Sequence, residues 1–281
     1  MNYLNFITVI PALALCVYVF YKDRAEKEPF GLLMLLTGAG VVICLPAKLL
    51  SMIVSSLFDS AFEPYVSFSI SGVPEYTSDG MMYLHGFLCS VIAVALIEET
   101  FKWLAVFFIT RKNENFNSLF DGIVYHVFLS VGFALAENLM IVYRDGTDTL
   151  LIRAFISVPA HLLFGILSGF FYTVWHVYKK ASDKENGLIS DKTFTKKRIR
   201  SAPLFIILSA AAPVFIHGIS AFSETVGTRS FRFAYFVIAV LLYAVCFAIT
   251  GAVSRRDDTD EAISDAILRR AHGYTGTEGE R

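Results

Sequence analysis

Charge is scarce along this chain. Only 17% of its 281 residues are Asp, Glu, Lys or Arg, against about 25% in soluble domains. The charges it does carry are confined to short stretches between long apolar runs. With 55% hydrophobic residues, this excludes an ordinary soluble core and points to an all-α, polytopic membrane protein. The formal net charge of −1 says little about partners. A lipid bilayer is expected and a nucleic acid is not, and nothing in the residues sets an oligomeric state. Four cysteines are present, Cys16, Cys44, Cys89 and Cys246. All lie in apolar runs and none forms a CxxC pair, so they read as small core residues rather than a disulfide or metal cluster. No basic stretch precedes the first apolar run, and Lys22, Asp23 and Arg24 follow it. An uncleaved first span is therefore expected, not a signal peptide. There is no internal repeat, and no HExxH, which excludes a conventional zincin.

What is present is a series of runs long enough to cross a bilayer, which takes about 20 mostly apolar residues. Seven are expected, at roughly 4–21, 31–57, 82–109, 119–143, 151–178, 203–222 and 231–253. Residues 1–253 thus read as one transmembrane bundle and 254–281 as a polar tail. Lys22, Arg24 and Lys27, then Arg111 and Lys112, a basic 179–202 connector, and Arg255 and Arg256 fall in alternate connectors. Loop lysines and arginines favour the cytoplasm. The N-terminus is therefore expected outside and the tail inside. The acidic, aromatic loop 58–81 is expected to form a small outer cap. Gly165 and Gly169 make a GxxxG step, a plausible packing seam.

The third run contains ALIEETFKWLAVFF, residues 95–108. An ionisable group at mid-membrane costs about 2.5–3.5 kcal/mol. Unpaired, Glu98, Glu99, Lys102 and Glu137 would together cost roughly 10 kcal/mol by that figure. They are therefore expected to face the bundle interior and meet partners. On a helix Lys102 lies one turn after Glu98 and Glu99 and angularly between them, so one ammonium is placed to bond both carboxylates. Paired carboxylates in unlike environments are what general acid–base chemistry requires. Glu137 follows in the fourth run, His161 in the fifth and His217 in the sixth. Their depths agree within one or two helical turns, so four helices can converge on a polar pocket nearer the outer surface. His85, His126, His176 and His272 do not match that depth and are expected to be interfacial or solvated.

Such a pocket suits peptide hydrolysis. A carboxylate takes a proton from water and returns it to the leaving amine. Histidines either hold a Zn²⁺ or stabilise the oxyanion directly. Buried Glu, Lys and His also build proton relays in transporters, although no inverted repeat or broken helix pair is visible. A scaffold without catalytic activity is the third reading.

EETFK (98–102) resembles the EExxK motif of PrsW-type intramembrane proteases, and FALAE (133–137) resembles their FxxxE motif. LFDGIVYHVFLSVGFALAEN is similar to the family's DGIVYG…GFA…EN block, and single histidines follow at His161 and His217. The family is related to the CAAX-processing and Abi membrane endopeptidases. The resemblance covers roughly residues 90–222. It implies cleavage of a single-pass, membrane-anchored substrate, an anti-sigma factor cut on its extracytoplasmic side, in a bacterial cell membrane. It implies Glu98 as the water-activating carboxylate, with Glu99 and Lys102 orienting it. It further implies Glu137, His161 and His217 as metal ligands, of Zn²⁺ if a metal is used, or as water and oxyanion partners in a metal-free glutamate mechanism. The chain departs from the pattern at His126, where a small residue is usual, and at Ala221, where the relatives place a polar side chain four residues after the last histidine.

Overall fold

The computed structural model describes residues 9–23, 27–69, 74–145, 156–190 and 202–272. A first apolar helix, α1 (Val9–Lys22), precedes α2 (Phe30–Phe62). A 3₁₀ turn (Glu63–Tyr65) leads into a two-stranded antiparallel hairpin, β1 (Val66–Phe68) and β2 (Pro74–Tyr76). Next comes one continuous helical rod: α3 (Asp79–Phe87), a π-helical stretch (Leu88–Leu96), and α4 (Ile97–Thr110). Then follow α5 (Asp121–Asp145), α6 (Val158–Ser190), α7 (Ala202–Val226), α8 (Arg229–Arg255) and α9 (Asp260–His272). Six of these helical segments are long and apolar enough to cross a membrane. The expected first span falls partly outside the described residues, and its remainder forms α1.

The apolar stretches of α5 and α6 are 72% and 67% buried, against 17–33% for the other four. These two helices are therefore the axis of the bundle, and the others face lipid. Tyr125, Phe133, Phe164 and Tyr172 are wholly buried along them. Backbones touch where glycine replaces a side chain. A Cβ on Gly132 of α5 would sit 1.9 Å from the Thr37 carbonyl oxygen of α2, and one on Gly169 of α6 would sit 2.4 Å from the Gly122 oxygen of α5. The GILSG seam thus packs on α5.

Two prolines interrupt the ladders near the polar centre. Pro213 has no N–H to give the Ser209 carbonyl one turn earlier. Ser168 of α6 donates its hydroxyl to that oxygen at 2.7 Å instead, which is how a freed carbonyl is satisfied inside a bilayer. Pro46 lies inside α2, two residues before Lys48.

The inner end differs from the sequence expectation. The helix expected to stop at 178 continues to Ser190, and its lysines are not a free basic loop. Lys180 pairs with Asp260 at 2.7 Å, Lys184 with Asp265 at 2.7 Å and with Glu261, and His176 with Asp260 at 3.0 Å. Ala181 and Leu268 are buried beneath these pairs. Helix α9 therefore lies along the end of α6, and that docking keeps the charged turns helical. Burial alone would raise the Asp260 carboxyl, but the hydrogen bonds from His176 and Lys180 outweigh it and hold the group below the usual range. Lys184 and Lys180 lower Glu261 likewise.

His126 is also unlike its expectation. It is buried, donates its Nδ1–H to the Gly122 carbonyl oxygen (2.8 Å), and meets the Tyr172 ring edge-on. Depth along the helix suggested an interface, but this inner half of α5 is enclosed by its neighbours from Asp121 to Ala134.

Candidate active site

Five helices deliver side chains to one buried centre. Helix α2 supplies Lys48, α4 supplies Glu98, Glu99 and Lys102, α5 supplies Glu137, α6 supplies His161 and α7 supplies His217. The last six are all less than a tenth exposed. The π stretch ends just before Ile97, immediately upstream of both carboxylates. π turns often mark functional positions in helices.

Lys102 Nζ lies 2.6 Å from Glu99 Oε1, three residues earlier, and 2.9 Å from His161 Nδ1. It also sits 4.5 Å above the Phe133 ring, one turn before Glu137 in FALAE. Glu98 points elsewhere. Its Oε1 is 2.5 Å from Lys48 Nζ, which is also 2.5 Å from Glu137 Oε1. The expectation that Lys102 bonds both carboxylates is thus corrected: Lys102 takes Glu99, and Lys48 takes Glu98. Adjacent helical residues point about 100° apart, so each glutamate meets a different neighbouring helix. The sequence reading did not single out Lys48. Its signal was available, as a lone ammonium in the middle of a 33-residue apolar helix demands partners.

Both histidines are held by carboxylates. His217 Nδ1 is 2.8 Å from Glu99 Oε1, and His161 Nε2 is 2.8 Å from Glu137 Oε2. The rings lie edge to face, 5.4 Å apart, with Phe164 stacked on His217. Ala221 contributes no polar side chain here. Its carbonyl accepts from the Thr225 hydroxyl.

Three of these residues form a group whose donor atoms lie within 4.8 Å of one another: Glu98, His161 and His217. The buried Glu98 Oε2 has no hydrogen-bond partner among the described residues. A His₂Glu set with an open position is a recurrent catalytic zinc arrangement, and a carboxylate behind a ligating imidazole fixes its tautomer. Glu99 stands in that relation to His217, leaving Nε2 as the ring nitrogen for a ligand. The residues fit a divalent metal.

A family model described as PrsW family intramembrane metalloprotease matches residues 28–250. The chain belongs to the PrsW family. It is an intramembrane peptidase of the bacterial membrane type. It is 29% identical over 237 residues to Protease PrsW of Oceanobacillus iheyensis, covering 84% of this chain and 89% of that one. It is 27% identical over 248 residues to Protease PrsW of Clostridioides difficile, covering 85% and 86%. The Bacillus subtilis Protease PrsW is 26% identical over 163 residues, covering 58% of this chain and 64% of its own. No solved structure matches. The PrsW match includes every residue of the buried centre, Lys48 among them.

Proposed function

We propose that this PrsW-family protein hydrolyses a peptide bond of a single-pass, membrane-anchored substrate, with Glu98, His161 and His217 holding a Zn²⁺ ion. The convergence of that donor set in a buried, carboxylate-backed cluster carries the reading. A bound Zn²⁺ would bring the pKa of a coordinated water to about 7 and polarise a carbonyl. Glu99 keeps His217 Nδ1 protonated and its ring oriented. Glu137 does the same for His161 Nε2, so His161 Nδ1 would exchange its Lys102 partner for the ion. Glu137, outside the donor set, would take a proton from water and pass it to the leaving amine. Lys102 holds Glu99, and Lys48 screens Glu98 and Glu137 from each other.

An apolar groove of about 670 Å³ opens towards lipid between α4 and α7, lined by Leu96, Thr100, Trp103, Ala210 and Val214 among others. Thr100 and Trp103 lie on the helix that carries Glu99 and Lys102, on a neighbouring face, so a substrate helix lying there would flank the centre. Lysines and arginines cluster at the C-terminal ends of α1, α4, α6 and α8, the alternate connectors hold only Arg144 and Arg153, then Arg229 and Arg232, and none lies between residues 58 and 81. By the positive-inside rule this puts the hairpin outside and α9 in the cytoplasm. Cleavage would then fall on the extracytoplasmic side, as release of an anti-sigma-factor-like protein requires.

A second reading has its own observation. Both His161 nitrogens already have partners, and Lys48 bridges Glu98 and Glu137 as a cation would. In that metal-free arrangement Glu98 activates the water and the lysines supply the positive charge.

The test is cleavage of single-pass membrane proteins co-reconstituted with the full chain. Glu98→Gln and His217→Ala both lose cleavage while remaining folded. Loss on zinc chelation, restored by zinc, selects the metal reading, whereas indifference to chelator selects the metal-free one. Cleavage retained by Glu98→Gln overturns both.

A further inference from the structure

A second donor cluster lies outside the buried centre, at the far end of the same rod. His85 and Cys89 are four residues apart, so they share a helix face across the junction of α3 and the π stretch. Asp59, near the end of α2, faces them. His85 Nε2 is 3.0 Å from Asp59 Oδ1 and 3.3 Å from Cys89 Sγ. The three donor atoms lie within 4.8 Å of one another. The other ring nitrogen, Nδ1, is 2.8 Å from the Tyr76 hydroxyl at the end of β2. Phe62 stacks on the imidazole at 4.7 Å. The ring is thus fixed from behind, with Nε2 presented to a thiol and a carboxylate.

We propose that Asp59, His85 and Cys89 form a second transition-metal site of the zinc class, separate from the buried cluster. Zn²⁺ takes sulfur, nitrogen and oxygen donors at about 2.0–2.3 Å in tetrahedral geometry, which separates donors by roughly 3.3–3.6 Å. The 3.0 and 3.3 Å from His85 Nε2 to the carboxylate and the thiol lie within a few tenths of an ångström of those separations, and the carboxylate and thiol lie within 4.8 Å of each other. Imidazole with thiolate selects zinc or its neighbours over magnesium or calcium. Tyr76 serves the role that an outer partner of a ligating histidine ordinarily has. Asp59 and His85 line a cavity of about 560 Å³, with Glu63, Phe68 and Tyr76 among others, which gives the ion a route in. On ligation the Cys89 thiol releases its proton to solvent. The occupied site ties the end of α2, the hairpin and the rod leading to Glu98 into one unit.

The buried cluster contains no sulfur, so sulfur spectroscopy separates the two sites. The probe is Co²⁺ added to the purified full-length protein. The wild type gives a thiolate-to-cobalt charge-transfer absorption, and so does a Glu98→Gln/His217→Ala double variant. Zn²⁺ displaces the cobalt and removes the band. Cys89→Ser and His85→Ala abolish it, and Tyr76→Phe weakens Co²⁺ binding about 10- to 100-fold. Thermal unfolding without metal confirms that Cys89→Ser remains folded. Absence of the band from the wild type overturns the proposal, whatever the variants do. So does a band that survives Cys89→Ser, or one that the double variant loses.

Discussion

Replacing Lys48 with methionine tests whether the buried centre is wired as described. The ammonium contacts two carboxylates at 2.5 Å each, with its own side chain 22% exposed and theirs 0% and 9%. Methionine keeps most of the volume and removes the charge. Removing one member of a buried pair costs about 3–5 kcal/mol, chiefly because a charge is left uncompensated. The partial exposure of Lys48 argues for the lower end, about 3 kcal/mol. For a chain of 281 residues that corresponds to a drop of roughly 5 °C in Tm. The diagnostic is the second substitution. Glu137→Gln in the Lys48→Met background removes one stranded carboxylate, so the double variant recovers part of the loss. A coupling of about 0.5–3 kcal/mol is expected for residues in contact. The assay is thermal unfolding of purified protein in one detergent at one pH. If Lys48→Met unfolds at the wild-type temperature, or the double variant is merely the sum of the singles, Lys48 does not bridge these helices.

Gly132→Ala forces a methyl into the Thr37 carbonyl, backbone against backbone. It destabilises by at least the 1–3 kcal/mol typical of overpacking, whereas Gly187→Ala, which meets nothing within 4 Å, unfolds like the wild type. Helix α9 is held by carboxylates whose folded values are depressed. That contribution is full above the ordinary carboxylate range, about 4, and is lost as pH falls through the lowered folded values. Protection of the α9 amides, referred to the intrinsic exchange rate at each pH, should fall on acidification below about pH 4, while protection in the middle of α5 stays high. Protection of α9 that is indifferent to acid would refute the latch.

Much of this was legible beforehand, for reasons that differ by element. The long helices follow from apolar length alone. EETFK and FALAE could be placed near each other because charged groups in a bilayer must find partners. Partner choice was not legible. Local spacing offers Lys102 to both glutamates, and only the packing of α2 against α4 and α5 sends Glu98 to Lys48. The same limit explains His85 and Cys89. Each looked ordinary in its own run, and Asp59 joins them from 26 residues away. The length of α6 was missed because Lys179, Lys180 and Lys184 read as a solvated connector, until α9 supplies counter-charges to Lys180 and Lys184 and Asp183 of the same helix supplies one to Lys179. His126 was misjudged from depth, which says nothing about how many neighbours surround a helix.

The π stretch between Cys89 and Glu98 has a consequence for how this rod tolerates change. Each wide turn takes up one more residue than an α-turn does, so the stretch sets the angular phase between its two ends. Deleting one residue within Leu88–Leu96 would let the segment close into ordinary α-helix. The wide turn would give up the residue it had taken in, so the outer face carrying His85 would stay nearly in phase with EETFK. The same deletion in a segment of ordinary α-helix would swing the two faces by about 100°, so this rod carries a residue to spare between its two polar ends.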